Sequence, residues 1–309
     1  MRQVKWIGVY PAVTTKFHED GSLDLPGFVK NITAQADAGI DGLVIGGSLG
    51  ESSTLTHEDR LELLAAALES VGDRIDIILN IAEGSTKAAI DLAGKAEANG
   101  AHGLMLLPPM MYKPTDQEVA DFFGEVARST SLPIMLYNNP IDYKIEVTQE
   151  ILEQLSPIDN IQAIKESTRD ISNVTRLRNR FGNRYKILCG VDTIAMEELM
   201  MGADGWVAGL VDAFPAETVA IYRLTKAGRV DEALEIYRWF MPILELDIDP
   251  QLVQNIKLAE VMTGLGTEHV RAPRKILQGH RREQVIQILE AGLANRPKLP
   301  NYLELEVMA

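Results

Sequence analysis

A lysine at the end of an apolar run holds the most chemistry in this sequence. Ile161-Gln162-Ala163-Ile164 leads into Lys165, with Glu166 and Ser167 behind it. Burial disfavours the ammonium form and leaves a neutral amine able to attack a carbonyl carbon. The same lysine would be structural if it paired with a carboxylate, and its position alone leaves both readings open. A second run ends Met135-Leu136-Tyr137-Asn138-Asn139-Pro140, offering a phenol to shuttle protons to and from a carbinolamine and an imine. Taken singly, Tyr137 reads equally as a core residue whose hydroxyl has found a partner. A third run closes on Gly46-Gly47-Ser48-Leu49-Gly50-Glu51-Ser52, a turn whose glycines let the backbone approach a ligand and whose amides suit a carboxylate. It lacks the spacing and the lysine of a nucleotide-binding P-loop.

Other chemistries have less to work with. The histidines at 18, 57, 102, 269 and 280 show no metal-ligand spacing, and Cys189 is the only cysteine, so no metal site is expected. Ser48 has no histidine near it in sequence to make it a hydrolase nucleophile. The Met200-Met201 pair and Trp239-Phe240-Met241 read as core or subunit interface.

The scaffold must deliver strand ends to one place. The chain has 309 residues, 46% hydrophobic and 24% charged, which is ordinary for a globular protein. Apolar runs without polar alternation fall near 7–13, 41–47, 75–81, 103–107, 133–137, 161–165, 185–190 and 205–210, the pattern of buried parallel strands. Helical patterns lie between them near 25–39, 57–71, 85–99, 115–130, 148–156, 170–181, 193–201 and 214–228, several opened by caps at Thr56, Ser85, Thr115 and Thr148. Eight such units predict an α/β fold, a (β/α)8 TIM barrel whose active site lies at the C-terminal strand ends. The rival doubly wound sheet wants a glycine-rich turn after its first strand, where this chain has Thr14-Thr15-Lys16-Phe17-His18. The expected organisation is a catalytic barrel over 1–230 and a C-terminal helical extension over 231–309, with helices near 231–247, 251–264 and 282–294.

Thirty Lys and Arg against 44 Asp and Glu give a net charge of -14, which repels phosphate backbones and anionic lipid, so neither nucleic acid nor membrane is an expected partner. A small anionic substrate is compatible with this field, because local donors outweigh screened distant charge. The start Met1 to Trp6 lacks a signal-like apolar run, and with a lone cysteine the expected location is cytoplasmic.

The chain resembles the dihydrodipicolinate synthase and N-acetylneuraminate lyase family of lysine-dependent barrels. The resemblance rests on Gly50-Glu51-Ser52, Tyr137-Asn138-x-Pro140, Lys165-Glu166-Ser167, Gly190-x-Asp192 and Gly202-Ala203-Asp204-Gly205, and spans nearly the whole length. It implies Lys165 as the Schiff-base lysine, Tyr137 as its proton-relay partner and Ser48 as the hydroxyl continuing that relay. It further implies a small oxo- or imino-acid substrate touched by Gly47, Leu49, Gly50, Asn139, Asp142, Gly190 and Val207, no cofactor, and a homotetramer built as a dimer of dimers.

Departures bear on the substrate. Ser48-Leu49 stands where the synthase has two threonines, and Asp142 where it has an arginine that holds an aldehyde substrate's carboxylate. An acid there repels that carboxylate, so lysine-pathway synthase activity is not expected. The synthase's cross-subunit tyrosine aligns with Met111, next to Tyr112. Tyr137-Asn138-Asn139-Pro140 followed by Tyr143, the segment 239–242, and the segment 252–260 are similar to the 1-pyrroline-4-hydroxy-2-carboxylate deaminases of hydroxyproline catabolism. The likeness implies 2,5-dioxopentanoate and ammonia as products. A 2-keto-3-deoxy-acid aldolase or dehydratase, or a synthase-like lyase, working through a pyruvate Schiff base is the alternative. A catalytically silent barrel that binds a small acid is another, against which the retained lysine, tyrosine and hydroxyl argue together.

Overall fold

Valine-, isoleucine- and leucine-rich runs form eight short strands in the computed structural model, which describes residues 3–109 and 112–305. They are β1 (Gly8–Pro11), β2 (Gly42–Ile45), β3 (Asp76–Ile81), β4 (Gly103–Leu106), β5 (Ile134–Asn138), β6 (Ile161–Glu166), β7 (Lys186–Cys189) and β8 (Gly205–Ala208). Every ladder is parallel, in the order β1-β8-β7-β6-β5-β4-β3-β2. The ring closes between β1 and β2 through an Ala12–Val44 bridge, with the Val13 N–H donating to the Val44 carbonyl at 3.1 Å. All eight expected strands are present, six of them trimmed and β5 and β6 running one residue further than expected, and the fold is the (β/α)8 barrel.

The helices are α1 (Leu25–Asp37), α2 (His57–Val71), α3 (Thr86–Ala98), α4 (Asp116–Arg128), α5 (Pro140–Tyr143), α6 (Gln149–Leu155), α7 (Ser172–Phe181), α8 (Ala195–Met200), α9 (Pro215–Lys226), α10 (Val230–Leu244), α11 (Leu252–Thr263) and α12 (Gly279–Ala294). Thr56 and Thr115 make capping boxes with Asp59 and Glu118, and Ser85 and Thr148 cap α3 and α6. Each such cap is worth about 1 kcal/mol.

Two elements differ from expectation, and both shape the site. The single turn α5 follows Asn139, whose side chain caps it, and it brings Asp142 and Tyr143 to the cavity in a stretch for which no element was expected. The helix expected to reach 247 stops at Leu244 and tightens into a 3-10 turn over Glu245–Ile248. Asp249 precedes Pro250 and is extended (φ -86°, ψ 148°), as a residue before proline must be.

The C-terminal helices are tied to the barrel by buried charge. Lys257 of α11 meets Glu51 of the β2 turn at 2.5 Å, and Lys16 meets Glu260 at 3.1 Å, all four side chains fully enclosed. The Thr14 hydroxyl also donates to Glu260, at 2.5 Å. Trp239 stacks on Phe240, which packs in turn on Phe214, and the Trp239 indole donates to the Gly292 carbonyl at 2.9 Å. Met200 and Met201, by contrast, are 51% and 48% exposed, so the reading of that pair as core fails: the last turn of α8 faces away from the barrel. Among the described residues no helix is long and apolar enough to cross a membrane.

Candidate active site

Strand register sets the first two groups. Tyr137 and Lys165 are Cα partners on adjacent strands, and the Lys165 Nζ lies 4.2 Å from the centre of the Tyr137 ring. Successive strand residues point to opposite faces. Lys165 therefore enters the lumen, while Glu166 turns outward and accepts from Asn138 (3.2 Å), Asn173 on α7 (2.9 Å) and the Thr168 amide (2.7 Å). Desolvation pushes the Lys165 pKa down, opposed only in part by Tyr143, Asp247 and Asp192. A fraction of neutral amine is the consequence. Gly190, on the neighbouring β7 end, makes room for it. A Cβ there would sit 2.1 Å from the Ser167 hydroxyl and 2.6 and 2.8 Å from Cε and Cγ of Lys165.

The β2 turn is held from several sides. Its Gly46 carbonyl accepts from Asn80 (3.0 Å), its Gly50 carbonyl from Thr15 (2.7 Å), and its Ser52 carbonyl from Arg60 (3.0 Å). Gly46 (φ 68°) and Glu51 (φ 60°) adopt the left-handed conformation the turn requires, and Glu51 is fixed there by Lys257 and by the Arg271 amide at 3.1 Å. Among the described residues the amides of Ser48 and Leu49 donate to no protein carbonyl, and both residues line the cavity. Gly50 is a correction: it does not line the cavity, because its position is spent against the Val13 carbonyl, 2.8 Å from where a Cβ would stand. Although Gly46 to Gly50 has the lettering of a hydrolase elbow, among the described residues no histidine lines the cavity beside Ser48.

The Ser48 hydroxyl pairs with that of Tyr143, which the sequence reading had noted only as a likeness. The rings of Tyr143 and Tyr137 meet edge to face with centroids 5.5 Å apart. Ser48 thus joins the phenol pair through Tyr143 rather than through Tyr137. Burial pushes the Tyr137 phenol up to about 12 and that of Tyr143 further still, so both stay protonated and serve as donors. Asn139 donates to the Tyr137 oxygen at 3.1 Å and to Asp142 at 2.8 Å, orienting both.

Gly47, Ser48, Leu49, Tyr137, Asn139, Asp142, Lys165, Gly190 and Val207 all line one cavity of about 80 Å³. That is room for on the order of half a dozen waters, or one small acid. Two charged residues of the lining were missed. Arg169 reaches the cavity from the β6 loop, 3.9 Å from Asp142, and Asp247 enters from the 3-10 turn beyond α10. Gly209 leaves space for the latter, since a Cβ would stand 2.4 Å from the Asp247 Oδ1. Behind Asp247, Asp192 accepts from the Trp206 indole (2.9 Å) and from the amides of Gly209 (3.1 Å) and Leu210 (2.8 Å). Burial, reinforced by Asp192, holds the Asp247 carboxyl well above the usual carboxylate range. Tyr112 is 53% exposed and lies in a surface hollow with Ser85 and Glu118, outside the cavity; Met111 falls outside the described residues. Among the described residues no group of three or more His, Cys, Asp or Glu is placed to hold a metal.

A desolvated lysine at the C-terminal end of a parallel barrel, with phenols beside it, defines a class: lyases of the Schiff-base, class I aldolase type. Within that class the chain belongs to the dihydrodipicolinate synthetase family, whose model matches residues 5–292. It is 32% identical to the 4-hydroxy-tetrahydrodipicolinate synthase of Moorella thermoacetica over 93% of this chain and 98% of that one. It is 33% identical to 4-hydroxy-tetrahydrodipicolinate synthase 2 of Streptomyces coelicolor, over 92% and 94% of the two chains. The solved 4-hydroxy-tetrahydrodipicolinate synthase of Methylacidiphilum fumariolicum superposes with a TM-score of 0.87 at 30% identity, covering 94% of this chain and 97% of its own.

Proposed function

We propose that the protein is a Schiff-base-forming deaminase that converts 1-pyrroline-4-hydroxy-2-carboxylate to 2,5-dioxopentanoate and ammonia. Lys165 attacks C2 of the cyclic imine and the ring opens by expelling its nitrogen as a 5-amino group, with Tyr137 and Tyr143 moving the protons. The open amides of Ser48 and Leu49 hold the substrate carboxylate. Loss of a C3 proton gives the enamine, the 4-hydroxyl leaves as water, and hydrolysis at C5 and C2 frees ammonia and the product.

The observation that carries this reading is the outer wall of the cavity, where Asp142 and Asp247 stand with Arg169 as the one guanidinium. A distal hydroxyl and amine suit two carboxyl groups, whereas a distal carboxylate meets Asp142 and a guanidinium already turned to it. A second reading, a synthase or lyase acting on pyruvate, is favoured by Arg169, which would hold a distal carboxylate if it left Asp142. The assay is ammonium release from 1-pyrroline-4-hydroxy-2-carboxylate, with Lys165→Ala as blank. Release by wild type alone is expected; no release, with borohydride still trapping pyruvate on Lys165, would establish the second reading. The proposal includes a homotetramer, measured by light scattering.

A further inference from the structure

The proposed reaction needs a proton at one place the phenols and the β2 turn do not explain. Hydroxide is a poor leaving group, so the oxygen on C4 must be protonated as its bond breaks. Four carboxyl groups stand in or near the cavity, and their surroundings sort them. Asp142 is 56% exposed at its side chain and engaged by Arg169 and Asn139, so it is neither desolvated nor free of donors. Glu166 faces away from the lumen with its own donors. Asp192 does not line the cavity: it is enclosed by an indole and two backbone N–H groups, which oppose the upward push that burial gives its carboxyl. Asp247 differs from all three: it lines the cavity, and among the described residues it meets the backbone N–H of Asp192 but no side-chain donor. The groups facing it are Asp192 from the β7 turn, Lys165 from β6 and Arg169 from the following loop. Its own burial against an apolar wall of Ile248 and Leu252, with Asp192 behind it, disfavours the charged form and keeps this carboxyl in its acid form.

We infer that Asp247, delivered by the 3-10 turn of the C-terminal extension, is the general acid that protonates the leaving 4-hydroxyl. The inference rests on the deaminase reading and adds a catalytic residue to it. In the enamine on Lys165, the nitrogen lone pair forms the C2=N bond and the C2=C3 pair moves to C3=C4. The C4–O bond breaks toward oxygen, the Asp247 proton joins it, and water leaves. Asp247 becomes a carboxylate, and the proton lost from C5 as the C4=C5 enamine forms restores the acid. No oxidant or co-reactant is needed.

The test changes the leaving group. Fluoride departs without a proton, so 4-fluoro-1-pyrroline-2-carboxylate bypasses a general acid while using every other group in the site. Asp247→Asn is expected to release ammonium from the 4-hydroxy compound at least about 100-fold more slowly than wild type. With the 4-fluoro compound it should stay within about threefold, and borohydride should trap pyruvate on Lys165 as in wild type. Equal losses with both leaving groups, undiminished turnover of the hydroxy compound, or loss of pyruvate trapping would each overturn the role of Asp247. Wild type that traps pyruvate but releases ammonium from neither compound would instead overturn the deaminase reading itself.

Discussion

Gly190 gives the sharpest test of how the lysine is held. Gly190→Ala adds one methyl, which would lie 2.1 Å from the Ser167 Oγ, 2.6 Å from the Lys165 Cε and 2.8 Å from its Cγ. Ordinary carbon contacts start near 3.5 Å, so the clash is about 0.7 to 0.9 Å for the lysine. Ser167 can rotate its hydroxyl aside, but Cγ sits near the root of the lysine and moves only if the whole side chain changes rotamer. A displacement on the order of 1 Å at a reacting atom costs roughly 100-fold, or about 2.7 kcal/mol in the barrier. Overpacking adds about 1–3 kcal/mol of destabilisation, a fall of several degrees in Tm. The measurement is the rate of Schiff-base formation, followed by borohydride trapping and mass spectrometry, beside a thermal melt. A trapping rate within about twofold of wild type would refute the claim that Gly190 is there to make room for Lys165, and leave it only a ligand contact.

Two further outcomes follow from the same geometry. Tyr143→Phe and Ser48→Ala break one hydroxyl pair, so each should lower kcat by roughly 10- to 100-fold, and the double variant should be no worse than the weaker single; additive losses would mean the two hydroxyls act separately. Asp212 is pushed up to about 8 by burial and then by Glu260, so between pH 4 and 8 the folded chain holds a proton the unfolded chain has released. Stability should therefore fall as pH rises through that window, by up to about 1.4 kcal/mol per unit, and level off above it. Asp212→Asn should flatten that slope in urea unfolding at pH 5 to 8, and an unchanged slope would contradict it.

The barrel was legible because parallel strands buried on both faces must be written as unbroken apolar runs. The pairing of Tyr137 with Lys165 was legible for a related reason: both close their strands, and strand ends in a barrel share a level. What escaped was whatever depends on atoms rather than on periodicity. Gly190 reads as a contact residue in sequence, and only the position of its absent Cβ shows that it yields space to the lysine. Gly50 matches a motif yet supports the turn from behind. Asp247 lies 82 residues beyond Lys165 in a stretch whose helical period runs straight through it. Its one signal was the Asp249-Pro250 pair, which bars the helix from running on past Asp247 and Ile248.

That early ending joins the extension to the chemistry. The barrel supplies an amine and the extension an acid, and burial disfavours the charged form of both, pushing one pKa down and the other up. Two such groups brought into direct contact would exchange the proton and neutralise each other as an ion pair, ending nucleophile and acid at once. Asp192, fixed by the Trp206 indole and the Gly209 and Leu210 amides, stands behind Asp247 and disfavours the charge that such an exchange would place on it. Lys257 and Glu51 pin α11 to the same turn that presents Ser48 and Leu49. The carboxylate donors, the amine and the acid are thereby set at fixed separations around a cavity of about 80 Å³ by one rigid, charge-paired frame. A helical segment that merely coated the barrel would have no reason to bury a lysine and a glutamate for that purpose, since such a pair contributes little net stability over an apolar contact.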